Sequence, residues 1–574
     1  MTEQLLIAAI FLGLFYGLIF TAYAPAWLFT AAMGAAYFAG IVDTAALLEK
    51  ATNTGLITLI LLLLVSIGLE KLSWLTRMSR ELVVPGYRFS LLRLTFFTSA
   101  FSAVINNTAV VATLANAIRE NRHHLPSRLL LPLSYAAVLG GTTTLIGTST
   151  NLIVSSFLED ASGQGLAFFD FLPIGLAATA AGLVVLLLTA RLLPHHPRDE
   201  VTVAEYLVEA EVIAGSSLIG RSITDNGLRE LSDLFLVEIV RGDHLISPVS
   251  PQEYIEAGDK LIFSGDIGRV SVLERFDGLR TFAAGEGLLS GNLVQVVLLP
   301  GSSVDGKTIK DSGFRSLFDA AVVGLRRGGQ RLSGKLGSIT LQAGDSLMLA
   351  VGGDFHARRN VSKNFLVVGS RAVQSPLRPL YSKLIGVAML SVVVLAALEI
   401  LPLIKGLAGI LALMLALRVV SAGELQRRFP FNLGMIIASA LVLSQALTNT
   451  GLVSVITELL HVKLTGAGPY LALAGVYLST LLLTELMTNN AAAALAFPVA
   501  YGMAESFGLS PLPFVMAVAY GASASFMTPY GYTTNLMVQN LGSYRFVDYL
   551  RYGFPVSLTY SVVVLLLLPR VFPF

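Results

Sequence analysis

Ten apolar runs, each close to the length that crosses a lipid bilayer, constrain this 574-residue chain more than any other feature. A helix needs about 20 apolar residues to traverse the hydrocarbon core. The runs fall at residues 4–23, 25–42, 54–70, 129–157 and 171–193, and again at 382–402, 404–420, 432–448, 512–541 and 553–571. Lipid offers no partner to a backbone N–H or C=O, so such a chain must satisfy its own hydrogen bonds as helices. The expected fold class is an α-helical polytopic membrane protein. No basic residue precedes the first run and no small-residue cleavage site closes it, so it reads as a span rather than a signal peptide.

Charge collects between the two groups of runs. Residues 198–363 hold 40 of the 76 charged side chains, so a water-soluble insert divides an apolar shell. The expected domains are a first membrane repeat (1–194), two small α/β modules (205–279 and 291–360) and a second membrane repeat (381–574). A net charge of +2 offers no field for nucleic acid, and the absence of cysteine excludes disulfides, thiol catalysis and thiolate metal sites.

Two further apolar segments are interrupted at mid-depth, 92–118 by Asn106, Asn107 and Thr108, and 471–500 by Thr488, Asn489 and Asn490. Read as re-entrant hairpins, they leave five spans in each half. An odd number of crossings sets the halves in opposite orientations, which is an inverted repeat. Basic residues agree with this. With the N-terminus outside, cytoplasmic loops and span ends carry twelve: Lys71, Arg77, Arg80, Arg88, Arg119, Arg122, Arg128, Arg418, Arg427, Arg428, Arg545 and Arg551. The outside carries four, Lys50, Lys405, Lys463 and Arg570, and the same assignment puts the modules in the cytoplasm.

The repeat is legible residue by residue. VINNTAVVA (104–112) aligns with LMTNNAAAA (486–494) at an offset of 382, setting Asn107 on Asn489. TLIGTSTNLIV (144–154) aligns with TPYGYTTNLMV (528–538) at an offset of 384, pairing Thr144 with Thr528, Gly147 with Gly531, Thr150 with Thr534 and Asn151 with Asn535. Irregular backbone at membrane depth survives where it lines a cavity or is buried in protein. Half-helix N-termini offer N–H groups and partial positive charge to an anion, and free carbonyls at the opposite ends suit Na⁺. None of the four motifs contains Lys or Arg, so an anion there would be held by amides, hydroxyls and helix ends, with a co-bound cation offsetting its charge. Small polar residues also act as glue between helices, an account that suits one motif better than four in symmetric pairs. Glu485, whose repeat counterpart is Ala103, is either a cation ligand or proton-coupling group, or a carboxylate paired with scaffold or cavity water.

On these motifs the chain resembles the divalent anion/sodium symporters of the ion-transporter superfamily, which includes citrate and arsenite permeases. The resemblance covers nearly all of residues 1–194 and 381–574. Family tips carry Ser-Asn-Thr; here the central Asn is kept and the flanks differ. Motifs and resemblance together point to a substrate-binding set of Asn106, Asn107, Thr108, Thr148, Thr150, Asn151, Thr488, Asn489, Asn490, Thr533, Thr534 and Asn535. The resemblance implies one Na⁺ site at Ser102, Asn107 and Gly147 and another at Thr484, Asn489 and Thr528. It also implies homodimers in which a hairpin-bearing domain moves as an elevator against a scaffold. Dicarboxylate-type members have prolines in both broken-helix loops, where this chain has Ser149-Thr150 and Gly531-Tyr532-Thr533-Thr534.

Within the insert, residues 214–243 align with 300–329 at an offset of 86, a tandem duplication. Strand-like runs at 234–240, 260–263, 294–299 and 346–351 alternate with turns. The two modules look like C-terminal domains of regulators of K⁺ conductance, without the dinucleotide-binding half that often precedes them. Residues 301–308 match the phosphate-loop pattern G-x-x-x-x-G-K-[ST]. The first copy has Gly220-Arg221-Ser222 at the place of Gly306-Lys307-Thr308, so the pattern reads as a turn common to both modules rather than an ATPase site.

The function expected is Na⁺-coupled symport of a small divalent anion, sulfate ahead of C4-dicarboxylates, with Na⁺ as coupling ion, no other cofactor and no enzymatic activity. The alternatives are a dicarboxylate or other oxyanion, H⁺ coupling, or, in another class, an ion channel gated by the modules. Expected partners are the anion, Na⁺, membrane lipid, a second copy of the chain and a small-molecule ligand of the modules, with no nucleic acid. The expected location is a prokaryotic inner (plasma) membrane.

Overall fold

The computed structural model describes the chain apart from residues 1, 22, 73–80, 122, 197–206, 229–230, 232–233, 243, 247–248, 266–272, 274–275, 284–292, 300–301, 328–329, 333–335, 353, 356–357, 359, 369–378, 453 and 456–467. Arg77, Arg80, Arg122 and Lys463 of the charge argument and Gly301 of the phosphate-loop pattern lie outside the described residues. The chain divides into two compact units. One comprises Met1–His195, Gln374–Val538 and Phe546–Phe574, the other His196–Val373 and Gln539–Arg545.

The first unit is helical. Its first half runs α1 (Thr2–Phe20), α2 (Pro25–Phe38), α3 (Thr44–Ala51), α4 (Thr54–Leu69), α5 (Tyr87–Ser102), α6 (Asn107–Glu120), α7 (Leu130–Gly141), α8 (Ser149–Ser162) and α9 (Leu172–Leu188). The second half repeats the series: α10 (Pro379–Ala397), α11 (Leu403–Ala416), α12 (Ala422–Arg427), α13 (Phe431–Thr450), α14 (Gly468–Leu486), α15 (Asn489–Ser506), α16 (Pro511–Ala522), α17 (Thr533–Leu541) and α18 (Phe546–Val571). The order of long and short helices is thus the same in both halves among the described residues. Capping residues set several starts: Asn53 Oδ1 accepts from Gly55 N at 2.8 Å and opens α4, and Ser510 opens α16 ahead of a proline.

Six helices among the described residues are long and apolar enough to cross a membrane: Thr44–Leu69, Leu172–Leu192, Leu380–Ala397, Phe431–Thr450, Gly468–Leu486 and Phe546–Val571. The runs 129–157 and 512–541, read from sequence as spans, are each two half-helices, α7 with α8 and α16 with α17, joined by an irregular segment. Half-helices of 9 to 14 residues are too short to span singly, and the helices of runs 25–42 and 404–420 also have only 14 residues, while one of the six, Gly468–Leu486, lies in a segment read from sequence as a hairpin. Within this unit Lys50, only 6% exposed, pairs with Asp160 at 2.7 Å and so ties α3 to the far end of α8. Asn53 Oδ1 also accepts from Ser156 Oγ at 2.6 Å.

The second unit holds two antiparallel five-stranded sheets. The first uses β1 (Leu207–Val212), β2 (Leu234–Arg241), β3 (His244–Ile246), β4 (Lys260–Gly265) and β5 (Leu279–Ala283) in the order β3-β2-β4-β1-β5. The second uses β6 (Leu293–Leu298), β7 (Ala320–Arg327), β8 (Gln330–Arg331), β9 (Ser346–Val351) and β10 (Phe365–Val368), with β10-β6-β9-β7-β8 as the same order read from the other edge. β5 begins at Leu279 and β10 follows residue 360, so each sheet gains an edge strand beyond the module ends drawn from sequence. Strand outweighs helix here; the described helices are Phe314–Phe318, the 3₁₀ helix Leu336–Ser338 and, just past the second module, Val361–Asn364.

The duplication extends to side chains. Arg241 forks onto Asp259 (2.8 and 2.9 Å) and bonds Tyr254 O at 2.7 Å; Arg327 forks onto Asp345 (2.7 and 2.7 Å) and bonds Thr340 O at 2.7 Å. Hydrogen bonding to these buried aspartates holds both guanidinium groups above their ordinary pKa. β2 and β7 carry an irregularity at the same place, between Leu236 and Glu238 and between Val322 and Gly324. The skipped residues, Val237 and Val323, pack with Ala321 and Ala350 in one apolar cluster that joins the two modules.

The phosphate-loop pattern is a turn. Gly220 and Gly306 both have φ of +76°, and the hydroxyls of Ser222 and Thr308 each donate to an aspartate three residues on, at 2.6 Å. No helix opens at Lys307, as a phosphate loop requires.

Candidate functional site

Four helices of the first unit begin at the four polar motifs: α6 at Asn107, α8 at Ser149, α15 at Asn489 and α17 at Thr533. Each N-terminus leaves backbone N–H groups without intrahelical partners and carries partial positive charge. The tips share hydrogen bonds between halves. Ser149 Oγ donates to Asn490 Oδ1 at 2.8 Å, and the Tyr532 hydroxyl lies 2.9 Å from the Asn107 carboxamide and 2.5 Å from Thr148 Oγ1. Thr148 and Tyr532 stand 384 residues apart, the offset of the repeat itself, so they are counterparts. Counterparts in the two sequence repeats are thus in direct contact.

The first proposed cation set is assembled. Matching donors to acceptors turns the Asn107 amide NH₂ to Gly147 O (3.1 Å) and Ala137 O (3.2 Å), leaving its oxygen to accept from Tyr532. Ser102 Oγ adjoins the same carboxamide. In the second set Thr484 Oγ1 donates to Ala522 O at 2.7 Å, Asn489 N to Gly531 O at 3.3 Å, and Thr528 Oγ1 to the backbone oxygen of Glu485 at 3.2 Å. Thr144 Oγ1 makes the equivalent bond to Ala103 O. Asn151 donates to Thr144 O at 2.8 Å and Asn535 to Thr528 O at 3.2 Å, so each loop is braced by its terminal Asn seven residues on.

Both loops need glycine. A Cβ on Gly147 would stand 2.4 Å from Gly141 O, and one on Gly531 would stand 2.1 Å from Ser525 Oγ and 2.3 Å from Thr484 O.

The proposed substrate residues separate into three groups by burial, with Asn107, 3% exposed, among the buried ones. Thr148, Thr150, Asn151, Thr534 and Asn535 are buried; Asn106, Thr108, Asn489 and Asn490 are half-buried; Thr488 and Thr533 are exposed. Asn106 spends its oxygen on Thr108 N at 2.9 Å, as the N-cap of α6. Thr150 bonds Ser523 Oγ at 2.7 Å, whereas its counterpart Thr534 has a fully buried hydroxyl with no hydrogen-bond partner among the described residues. Thr142, which caps α7 as Ser523 caps α16, turns its hydroxyl to Leu139 O instead. A buried hydroxyl left this way marks a place for a water, an ion or a ligand oxygen.

Sequence reasoning placed Tyr532 in the second loop without including it in the binding set, and it missed Ser523, Ser525 and Ser134 as members of the cluster. Tyr532 was reachable through the repeat offset. Ser134 Oγ, 2.7 Å from Asn535 Oδ1 and some 400 residues away in sequence, was not. Glu485, 7% exposed, points its carboxylate into the second loop, where Oε1 accepts from Phe526 N (3.0 Å) and Met527 N (2.9 Å) and Ser525 Oγ donates to Oε2 at 3.4 Å.

Comparison with known proteins agrees with this architecture. The profile of the family described as "Citrate transporter" matches residues 15–519. A Chlamydomonas reinhardtii protein provisionally named a sulfur deprivation response regulator is 33% identical, over 91% of this chain and 94% of its own. An uncharacterized transporter of Synechocystis sp. is 31% identical, over 91% and 89%. Sodium/sulfate cotransporter 2 of Chlamydomonas reinhardtii is 29% identical, over 62% of this chain and 42% of its own. With the family profile spanning most of its length and relatives aligned nearly end to end, the chain belongs to the citrate transporter family and is a membrane transporter, not an enzyme.

Proposed function

We propose that the protein is a secondary active transporter that carries a small divalent anion together with Na⁺, sulfate ahead of C4-dicarboxylates. The observation that carries this reading is the meeting of four helix N-termini around the Thr148–Tyr532 pair, in motifs without a single Lys or Arg. Such a site attracts an anion through N–H groups and helix ends, and a co-bound cation offsets the remaining charge. Ser102, Asn107 and Gly147 would hold one Na⁺, the Asn107 amide turning its oxygen to the ion and its NH₂ to the Tyr532 hydroxyl when the ion binds, and Thr484, Asn489 and Thr528 would take part in holding another, through hydroxyl, carboxamide and carbonyl oxygens. The Thr534 hydroxyl is available to the anion. Tyr532 fills the space between the repeats and so favours a compact tetrahedral anion over an extended one. Relatives named as sodium/sulfate cotransporters support both the ion and the anion.

The two sheet modules would be cytoplasmic regulators that bias transport on binding a small ligand, and the working unit would be a homodimer moving as an elevator. The test is counterflow in proteoliposomes with labelled sulfate, succinate and citrate, with and without Na⁺, for the wild type, Asn107→Ala and Asn489→Ala. Na⁺-dependent sulfate exchange lost in both variants supports the reading. Preferred exchange of succinate or citrate reassigns the substrate, and full activity in both variants removes the site.

A further inference from the structure

The two repeats differ in one respect. Between the residue that caps the half-helix and the threonine that opens the loop motif, the first repeat has one residue, Thr143 between Thr142 and Thr144. The second has four, Ala524, Ser525, Phe526 and Met527, between Ser523 and Thr528. The helices themselves, α7 and α16, have the same length, 12 residues. The second loop therefore contains three extra residues.

This extra segment is buried. Phe526 is wholly enclosed, its ring against Tyr135 (5.4 Å) and Tyr560 (5.6 Å), and its carbonyl accepts from the Tyr135 hydroxyl. Backbone N–H groups enclosed in this way must find an acceptor inside the protein. Glu485 supplies it, one carboxylate oxygen taking both Phe526 N and Met527 N. Its counterpart Ala103 stands in the repeat whose loop lacks the extra residues, and there Leu145 N finds Phe168 O instead. The acid and the insertion occur in the same repeat and meet there.

We infer that Glu485 is a positioning residue: it folds the three-residue insertion and thereby sets the loop that carries Thr528 beside Thr484 and Asn489. Among the described residues no Lys, Arg or His forms an ion pair with it, so the carboxylate is held by the loop and not by a fixed cation. The inference rests on the proposed Na⁺-coupled reading only for the effect on Na⁺ dependence; the loop contact stands apart from it.

The experiment exploits the absence of cysteine from the chain. In a Met527→Cys background, the rate of N-ethylmaleimide labelling and the Na⁺ concentration for half-maximal sulfate uptake are measured for Glu485, Glu485→Gln and Glu485→Ala. A glutamine oxygen still accepts both amides, so Glu485→Gln should stay within about twofold of the parent on both readouts. Glu485→Ala should label about tenfold faster and need about tenfold more Na⁺, with little change in the anion KM at saturating Na⁺. Unchanged labelling in Glu485→Ala overturns the inference, as does a Glu485→Gln that loses Na⁺ or pH dependence like the alanine. Faster labelling in the alanine variant alone, in a protein that shows no Na⁺-driven uptake at all, upholds the loop role and rejects the transport reading.

Discussion

The hydroxyls of Thr148 and Tyr532, counterparts in the two repeats, meet at 2.5 Å, so one of the closest contacts between the halves is made by a residue and its own symmetry mate. Substituting tyrosine for threonine at one of two equivalent positions breaks the symmetry where the helix N-termini gather, and it narrows the site from one side.

Removing the phenol oxygen should loosen that site. In Tyr532→Phe the Asn107 carboxamide and Thr148 hydroxyl each lose a partner. At about 0.5–1.5 kcal/mol per bond, the two losses together should raise the anion KM by at least about fivefold. Restoring symmetry with Tyr532→Thr should raise succinate uptake relative to sulfate. Competition uptake assays read both effects, and an unchanged sulfate-to-succinate ratio would remove the size-filter role.

The two loop glycines should tolerate nothing larger. A methyl group at Gly147 or Gly531 meets backbone or side-chain oxygen at 2.1 to 2.4 Å. Each alanine variant should therefore lose at least about tenfold in uptake, since overpacking costs about 1–3 kcal/mol and displaces the loop carbonyls. Monodisperse elution of the purified variants would locate the defect at the site rather than in folding. Near-normal uptake would show that the loops can shift.

Lys50 is buried and pairs with Asp160, whose side chain is 18% exposed, so cutting the lysine leaves a carboxylate that is only partly solvated. Lys50→Ala should lower stability by about 1–3 kcal/mol, seen as a fall in Tm of the detergent-solubilised protein. A double change to Met at 50 and Leu at 160 should recover much of the loss. Equal destabilisation in the single and double variants would mean that the side-chain volumes, not the charges, hold α3 to α8.

In the modules, Arg241 and Arg327 each cover an aspartate that is almost completely buried. Replacing either with alanine should cost about 1.5–3 kcal/mol in that module and speed its cleavage in limited proteolysis. Lysine should not rescue, because it cannot form the two-pronged contact. Wild-type proteolysis rates in both lysine variants would count against the fork as the stabilising element.

Much of this protein was readable from its sequence, for a physical reason in each case. Apolar length marks what can lie in lipid, and polar residues at mid-depth mark where a helix must break, so α6, α8, α15 and α17 begin at the motif residues. The offset of 86 foretold the shared strand order of the two sheets, and it exposed the phosphate-loop pattern as a turn, because a duplicated turn cannot be a specialised one. The tertiary structure decided what depends on distance between remote residues. It set Ser134 against Asn535 and Thr148 against Tyr532, left Thr534 without a partner, and gave the Glu485 carboxylate to the amides of an insertion 40 residues away. Periodicity and spacing report which face or depth a residue occupies, but hydrogen bonding falls off within an ångström or so. Only the packed arrangement of the half-helices brings those atoms within reach.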